Sequence, residues 1–363
     1  MLRLIDYYKF KKNNYKAIMH EKHSASVAFC SANINVFFPE INIKKYSKIV
    51  LRIFYNNDLA KREKTNLKNL KKIDYSSLDL PHNKGFFLVS FHYGAYHLIS
   101  SMLIKLNYKT VVCVNETVFQ NKKTIEDSLN TFKKFKDEVN SESDLVFLSV
   151  QDEAFVFNVK EYLEKNYAVL VFIDGNSGID GIMNFDSKKK TVIDFFNQTI
   201  KVKYGIPSLA YSFNAPIIPV FCIRRRNSYL VKSCKTIEVD KTLNKEAFSI
   251  YAIKRIYTEL ERQLKINPFQ WEGWLYIHRW LDIKNLKDIP NKKKGSVKKV
   301  NNLKFNNQKF AYFKLKESHF LLNKYTHLSY EIDEKIKEII FSNKKNKFES
   351  NLIEECIENN ILI

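Results

Sequence analysis

Two places in the chain gather residue types that can do chemistry. The first is Phe91-His92-Tyr93-Gly94, where a histidine follows the apolar run from Phe86 and a glycine comes two residues later. In an open α/β sheet, ligands bind beyond the carboxyl ends of the strands. A histidine after a strand is more often a packed or capping residue than a base, but Gly94, which lets the backbone approach a ligand, favours a base at His92. A helix expected from Tyr96 to Leu106 would begin just after them, with N–H groups that favour an anion. The second place is Asp174-Gly175-Asn176-Ser177-Gly178, then Gly181, at the end of the apolar run Ala168 to Ile173. Three of only eight glycines fall within these seven residues, which reads as a backbone-lined binding turn. A plain turn with Asp and Asn as turn formers is the simpler alternative.

The elements that must position these residues can be read from periodicity. Residues 1–80 lack glycine and carry apolar residues at helical spacing (Tyr46, Ile49, Val50, Ile53, Phe54), which predicts a helical N-terminal region. From Gly85 strands and helices alternate. Strands are expected at Phe86 to Phe91, Thr110 to Val114, Asp144 to Ser149, Ala168 to Ile173 and Ile217 to Ile223. Helices are expected at Lys123 to Val139, Ala154 to Lys165 and Lys203 to Phe213. Such alternation predicts an α/β fold over residues 84–283, a mixed, largely parallel sheet flanked by helices. Lys284 to Phe310 holds nine Lys against one Asp, with Pro290 and Gly295, and reads as a basic linker over 284–307. Residues 308–363 then read as a small α+β appendage, with strands at Ala311 to Lys314 and His319 to Leu322 and helices at Asp333 to Phe341 and Glu349 to Asn359.

Composition narrows the function classes. With 45% apolar and 14% aromatic residues the chain is no disordered polyelectrolyte, and its net charge of +21 reads either as an anionic partner (nucleic acid, anionic lipid or an acidic carrier protein) or as a coding bias that inflates Lys, Asn, Ile, Phe and Tyr together. Nucleic acid is the weakest of these, because no recognition motif is present and the basic residues are spread along the chain. The five cysteines form no metal-ligand or CxxC spacing, which fits a reducing cytosol. No signal peptide or spanning helix is read from the sequence, so any membrane association is expected to be peripheral, on the inner face of the cell membrane. No metal and no cofactor is expected.

The ordered set Phe91-His92-Tyr93-Gly94-Ala95-Tyr96-His97, Phe172-Ile173-Asp174-Gly175 and Ile218-Pro219-Val220 resembles the glycerolipid and lipid A acyltransferase superfamily. Asp194 to Gln198, Lys203 to Ile206 and Pro268-Phe269-Gln270-Trp271-Glu272-Gly273-Trp274 leading to His278-Arg279-Trp280 are similar to segments of its lipid A branch. The resemblance spans about residues 30–283 and implies an acyltransferase-like domain over 1–283. It also implies an acyl thioester donor, on acyl carrier protein or coenzyme A, and a lipid or lipid-like acceptor. His92 would take the proton of the attacking hydroxyl or amine, while Gly94 and the turn Asp174, Gly175, Asn176, Ser177, Gly178 bind substrate or the developing oxyanion.

The family carries an acid five residues after its histidine; here that residue is His97. A neutral His97 fixes the tautomer of His92 without supplying negative charge. Three outcomes follow. His97 orients His92 at reduced rate, another carboxylate such as Glu116 or Asp174 takes the role, or the domain binds acyl groups without turning them over. No Arg occurs between Phe91 and Asp174, where the lipid A branch usually has one. Trp271, Trp274 and Trp280 are read as packing residues, Glu272 and Arg279 as a structural pair, and Arg224, Arg225 and Arg226 as a solvated face. Residues 308–363 resemble small winged-helix peptide-recognition domains, which would make a peptide or carrier-tethered acceptor the alternative to a lipid.

Overall fold

The apolar runs before His92 and before Asp174 have no polar face, as strands covered on both sides require, and they lie side by side. The computed structural model of the chain describes residues 2–20, 24–42, 45–63, 67–174, 189–286, 303–342 and 345–363. Phe86–Ser90 (β2) and Ala168–Phe172 (β5) pair in parallel, Phe86 opposite Ala168 and Ser90 opposite Phe172. They are the centre of a seven-stranded sheet. Its spatial order is Ile73–Ser77 (β1), Tyr229–Ser233 (β9), Ile217–Arg224 (β8), β2, β5, Thr110–Val114 (β3) and Leu145–Ser149 (β4). All neighbours are parallel except β8 and β9. The chain leaves β2 toward β3 on one side and later supplies β8 on the other, so the carboxyl end of β2 is a topological switch point.

Two compact units emerge: Asn56–Phe195 with Lys201–Glu272, and Met1–Tyr55 with Phe196–Ile200 and Gly273–Ile363. The first holds the large sheet, the helices Leu98–Lys105 (α4), Glu116–Gln120 (α5), Lys122–Glu138 (α6), Phe155–Glu164 (α7), Gly205–Phe213 (α8) and Lys245–Ile266 (α9), and the strand Lys190–Phe195 (β6). Strand β6 forms a hairpin with Gln198–Lys203 (β7). The helical expectation for residues 1–80 is met by Leu2–His20 (α1), Ser24–Phe37 (α2) and Tyr46–Glu63 (α3), but its end is β1. That short strand, with Ile73 facing Tyr229, takes its conformation from pairing with β9 and not from local periodicity.

In the other unit, Phe310–Leu315 (β10), Ser318–Asn323 (β11) and Ser329–Ile332 (β12) form an antiparallel sheet, followed by Glu334–Phe341 (α10) and Ser350–Glu358 (α11). Ala28 and Ala32 of α2 pack on Phe313 and Leu322, small residues allowing close approach of helix to sheet. Nearby, Asn33 Nδ2 donates to Trp274 O at 2.8 Å and lies 3.3 Å from His278 Nδ1, while its Oδ1 is 3.0 Å from His327 Nε2. Phe29 stacks on His278 with ring centroids 4.2 Å apart. Of the linker read at 284–307, residues 287–302 lie outside the described residues.

A chain this poor in glycine ends its helices and turns by another route. Asn107, Asn140, Asn166, Asn214 and Asn360 all adopt left-handed φ between 48° and 62°, the one conformation in which Asn competes with Gly. Asn115, Asn121 and Asn244 cap the starts of α5, α6 and α9 with their side-chain oxygens. Among the described residues no helix is long and apolar enough to cross a membrane.

Candidate active site

His92 lies two residues past the end of β2 and Asp174 two past the end of β5. Because Ser90 and Phe172 are paired in register, these equal offsets bring together side chains 82 residues apart. His92 Nδ1 is 2.9 Å from Asp174 Oδ1, and the His92 backbone N–H donates to both carboxylate oxygens at 3.0 and 3.1 Å. The indole Nε1–H of Trp271 donates to Asp174 Oδ2 at 2.7 Å, and both residues are fully buried. A carboxylate receiving two kinds of N–H already is an acceptor toward the imidazole as well. That assigns the proton of neutral His92 to Nδ1 and leaves the Nε2 lone pair available.

The backbone that carries His92 is clamped on two sides. Glu272 N–H donates to His92 O at 3.0 Å, Gly94 N–H to Gln270 O at 2.8 Å and Ala95 N–H to Cys222 O at 2.8 Å. Gly94 has φ +65°, and a Cβ there would sit 2.0 Å from the Cys222 carbonyl oxygen. The close approach that this glycine permits is to the β8 backbone.

Burial works against a charged His92, whose side chain is 24% exposed, but the Asp174 charge and hydrogen bond and the charge of Glu272 outweigh it. The balance holds the imidazole above its ordinary pKa. Glu272 is pushed up, chiefly by burial, then by Asp174, against the pull of His92, Lys61 and Arg224. Tyr96 sits edge-on to the His92 ring at 4.8 Å; burial, then Glu272, keep its hydroxyl protonated well beyond the ordinary tyrosine range.

Beside His92 a cavity of about 360 Å³ runs between α4, α6 and strands β3, β4 and β5. Its walls are mostly apolar, including Ile104, Val112, Phe132, Phe135, Phe147 and Leu170, with hydroxyls from Ser100, Ser101, Thr124, Ser128 and Thr131. Along the strands the lining extends from Val114 to Leu145, which pairs with Thr110 four residues deeper, a run of about 13 Å at ~3.3 Å per residue. His92, Tyr96 and His97 line the same space.

The structure thus joins His92 and Asp174, one of the alternative carboxylates, at the nitrogen that the resemblance reserves for residue 97. His97 stands one residue before α4, its ring 4.1 Å from that of Tyr96. Glu116, the other alternative, hydrogen-bonds to Ser149 and Gln120 instead. Gly175, Asn176, Ser177 and Gly178 lie outside the described residues. Among the described residues no three His, Cys, Asp or Glu side chains converge as a metal site would need.

Sequence reasoning missed the polar work of Trp271, the position of Glu272, and Arg224. Arg224, read as part of a solvated face, is buried at the end of β8 with Nε 2.9 and 2.8 Å from the Glu63 oxygens and Nη1 3.2 Å from Asn56 Oδ1. Its neighbour Arg225 is exposed and meets Asp74 at 3.2 Å. The segment around Trp271 was flagged by the resemblance, but nothing in it signals that an indole would hold the acid of another loop. No protein-family model matches this chain, and no curated protein matches its sequence.

Proposed function

We propose that the chain is an acyltransferase that moves an acyl group from a thioester to a hydroxyl or amine, with His92 as general base. One observation carries the reading: a histidine whose Nδ1 is fixed by a buried carboxylate stands beside a deep, mostly apolar cavity. The acceptor X–H gives its proton to His92 Nε2 as X attacks the thioester carbonyl. The C–S bond then breaks, and the departing thiolate takes the proton back from the imidazolium. Asp174 keeps its charge throughout, orienting the ring and stabilising its charged form. The cavity suits an alkyl chain, since about 0.8 kcal/mol accompanies each methylene withdrawn from water.

The resemblance to the glycerolipid and lipid A acyltransferases supports the same reading, with an acyl carrier protein or coenzyme A donor and a lipid acceptor at an anionic membrane surface. The antiparallel sheet β10–β12, whose edge strand β12 exposes Tyr330, favours a second reading in which the acceptor is a peptide. The test is thiol release and acyl transfer from a panel of acyl-CoA and acyl-carrier thioesters, comparing wild type with His92→Ala. Turnover by wild type that falls at least ~100-fold in His92→Ala is expected. Binding of acyl ligands without release from any donor would overturn the enzymatic reading.

A further inference from the structure

Asp174 is not the only acid beside His92. Glu272 follows Trp271, so two consecutive residues serve the same imidazole, one through its indole on Asp174 and one through its backbone N–H on the His92 carbonyl. The Glu272 side chain is near enough to Tyr96, whose ring packs on His92, to join burial in raising the pKa of its hydroxyl. Its Oε1 is buried and has no hydrogen-bond partner among the described residues. A desolvated carboxylate oxygen left bare is costly to fold around, and Glu272 sits there in a protein with cations to spare elsewhere.

We propose that Glu272 is a second positioning carboxylate of this site, which together with Asp174 stabilises the imidazolium formed when His92 takes a proton from the acceptor. The proposal rests on the acyl-transfer reading for what that proton does, and on geometry for the rest. With His92 neutral, burial and the neighbouring Asp174 oppose a charged Glu272. When His92 is protonated, each acid gains a favourable interaction with its positive charge. The stabilisation is thus larger in the charged state than in the resting one, which is the condition for an interaction to speed a reaction.

The charges that face this group come from several elements. Asp174 follows β5, Arg224 ends β8, Lys61 lies on α3 and Tyr96 precedes α4; Arg224 and Lys61 temper Glu272 without cancelling its effect on His92. Arg224 is already engaged by Glu63, and its Nη2 is buried without a partner among the described residues. Tyr257, on α9, faces Asp174.

The experiment is the titration of His92 by NMR in the full-length protein, with labelled histidine, in wild type, Glu272→Gln and Tyr96→Phe. Glu272→Gln is expected to lower the midpoint by about one pH unit, the size of a neighbouring-charge effect, with Tyr96→Phe moving it less. The acidic limb of thioester cleavage should shift down with it, and the plateau rate should fall about tenfold. An unchanged His92 midpoint in a folded Glu272→Gln protein would overturn the proposal. Should that variant fail to fold, the wild type decides: the carboxyl signal of Glu272 must show an inflection at the His92 midpoint, and its absence is equally fatal. Neither titration needs a substrate. A wild type inert toward every thioester therefore sinks the acyl-transfer reading while leaving the coupling of Glu272 to His92 to be judged separately.

Discussion

His92 and the pair His278 and His327 sit in similarly aromatic surroundings, yet the first is held above the ordinary histidine pKa while the other two are pushed down to about 3 and about 4. Burial pulls in the same direction in all three. The difference is the partner. His92 meets a carboxylate, whereas His278 and His327 share the carboxamide of Asn33, which bonds each as a neutral ring. Asn33 offers an N–H to His278 Nδ1 and an oxygen to His327 Nε2, so both rings carry their proton on Nε2, and His327 Nδ1 is left buried without a partner among the described residues. One charge on a side chain of nearly the same shape separates a site poised to take a proton from one built to refuse it.

The sharpest way to break this contrast is to make the first site resemble the second. Asp174→Asn should reduce thioester turnover by about 10³- to 10⁴-fold, the scale seen when the acid of a catalytic triad loses its charge, and by far more than His97→Ala does. Comparable losses in the two variants would return the orienting role to residue 97. Gly94→Ala tests the clamp that holds His92: with φ +65° and a Cβ 2.0 Å from the Cys222 oxygen, it should cost roughly 2 kcal/mol or more in urea unfolding. Wild-type stability in that variant would mean that the turn adjusts freely.

The converse exchange, Asn33→Asp, sets a carboxylate against the Trp274 carbonyl and should cost about 1–3 kcal/mol at neutral pH. It should recover part of that loss in acid, as the two histidines gain a charge partner. In wild type these rings refuse protons that the unfolded chain accepts, so their share of the stability is complete above pH 6.5 and is lost as the pH falls toward about 4. His92 behaves oppositely: its raised pKa favours the fold below pH 6.5 and the benefit fades as the pH rises through its folded value. As the proposed base it must be neutral, so turnover should climb with pH through a midpoint above 6.5. The smallest effect is expected from His278→Phe, which keeps the stack on Phe29 and the Asn33 bond to Trp274. It should change neutral stability by less than ~1 kcal/mol while flattening the acid side of the unfolding profile. An unaltered acid slope would place the sensitivity elsewhere.

The central strands of the sheet were legible in the sequence because they are continuous apolar runs, and β3 was bounded correctly from Thr110 to Val114. The strands β1, β6, β7 and β9 were not. They are short, half-exposed or interrupted by Lys and Asp, and their conformation depends on partners that no local window contains. The site divides in the same way. His92 and Asp174 could each be picked out by position after a strand, but their union could not, since it follows from the β2–β5 register. A spacing rule written along the chain led instead to His97, which the start of α4 places beside Tyr96. Trp271 was invisible as a polar group, because an indole buried for its area also carries an N–H.

A dyad closed by strand pairing across 82 residues also fixes when in folding the site comes into being. Helices form from neighbours in the chain, whereas β2 and β5 meet only after the intervening segments have been looped out, a slow event by the usual relation between contact order and rate. On dilution from denaturant, helical circular dichroism should therefore return before turnover does. The site would be among the last parts of the molecule to be completed.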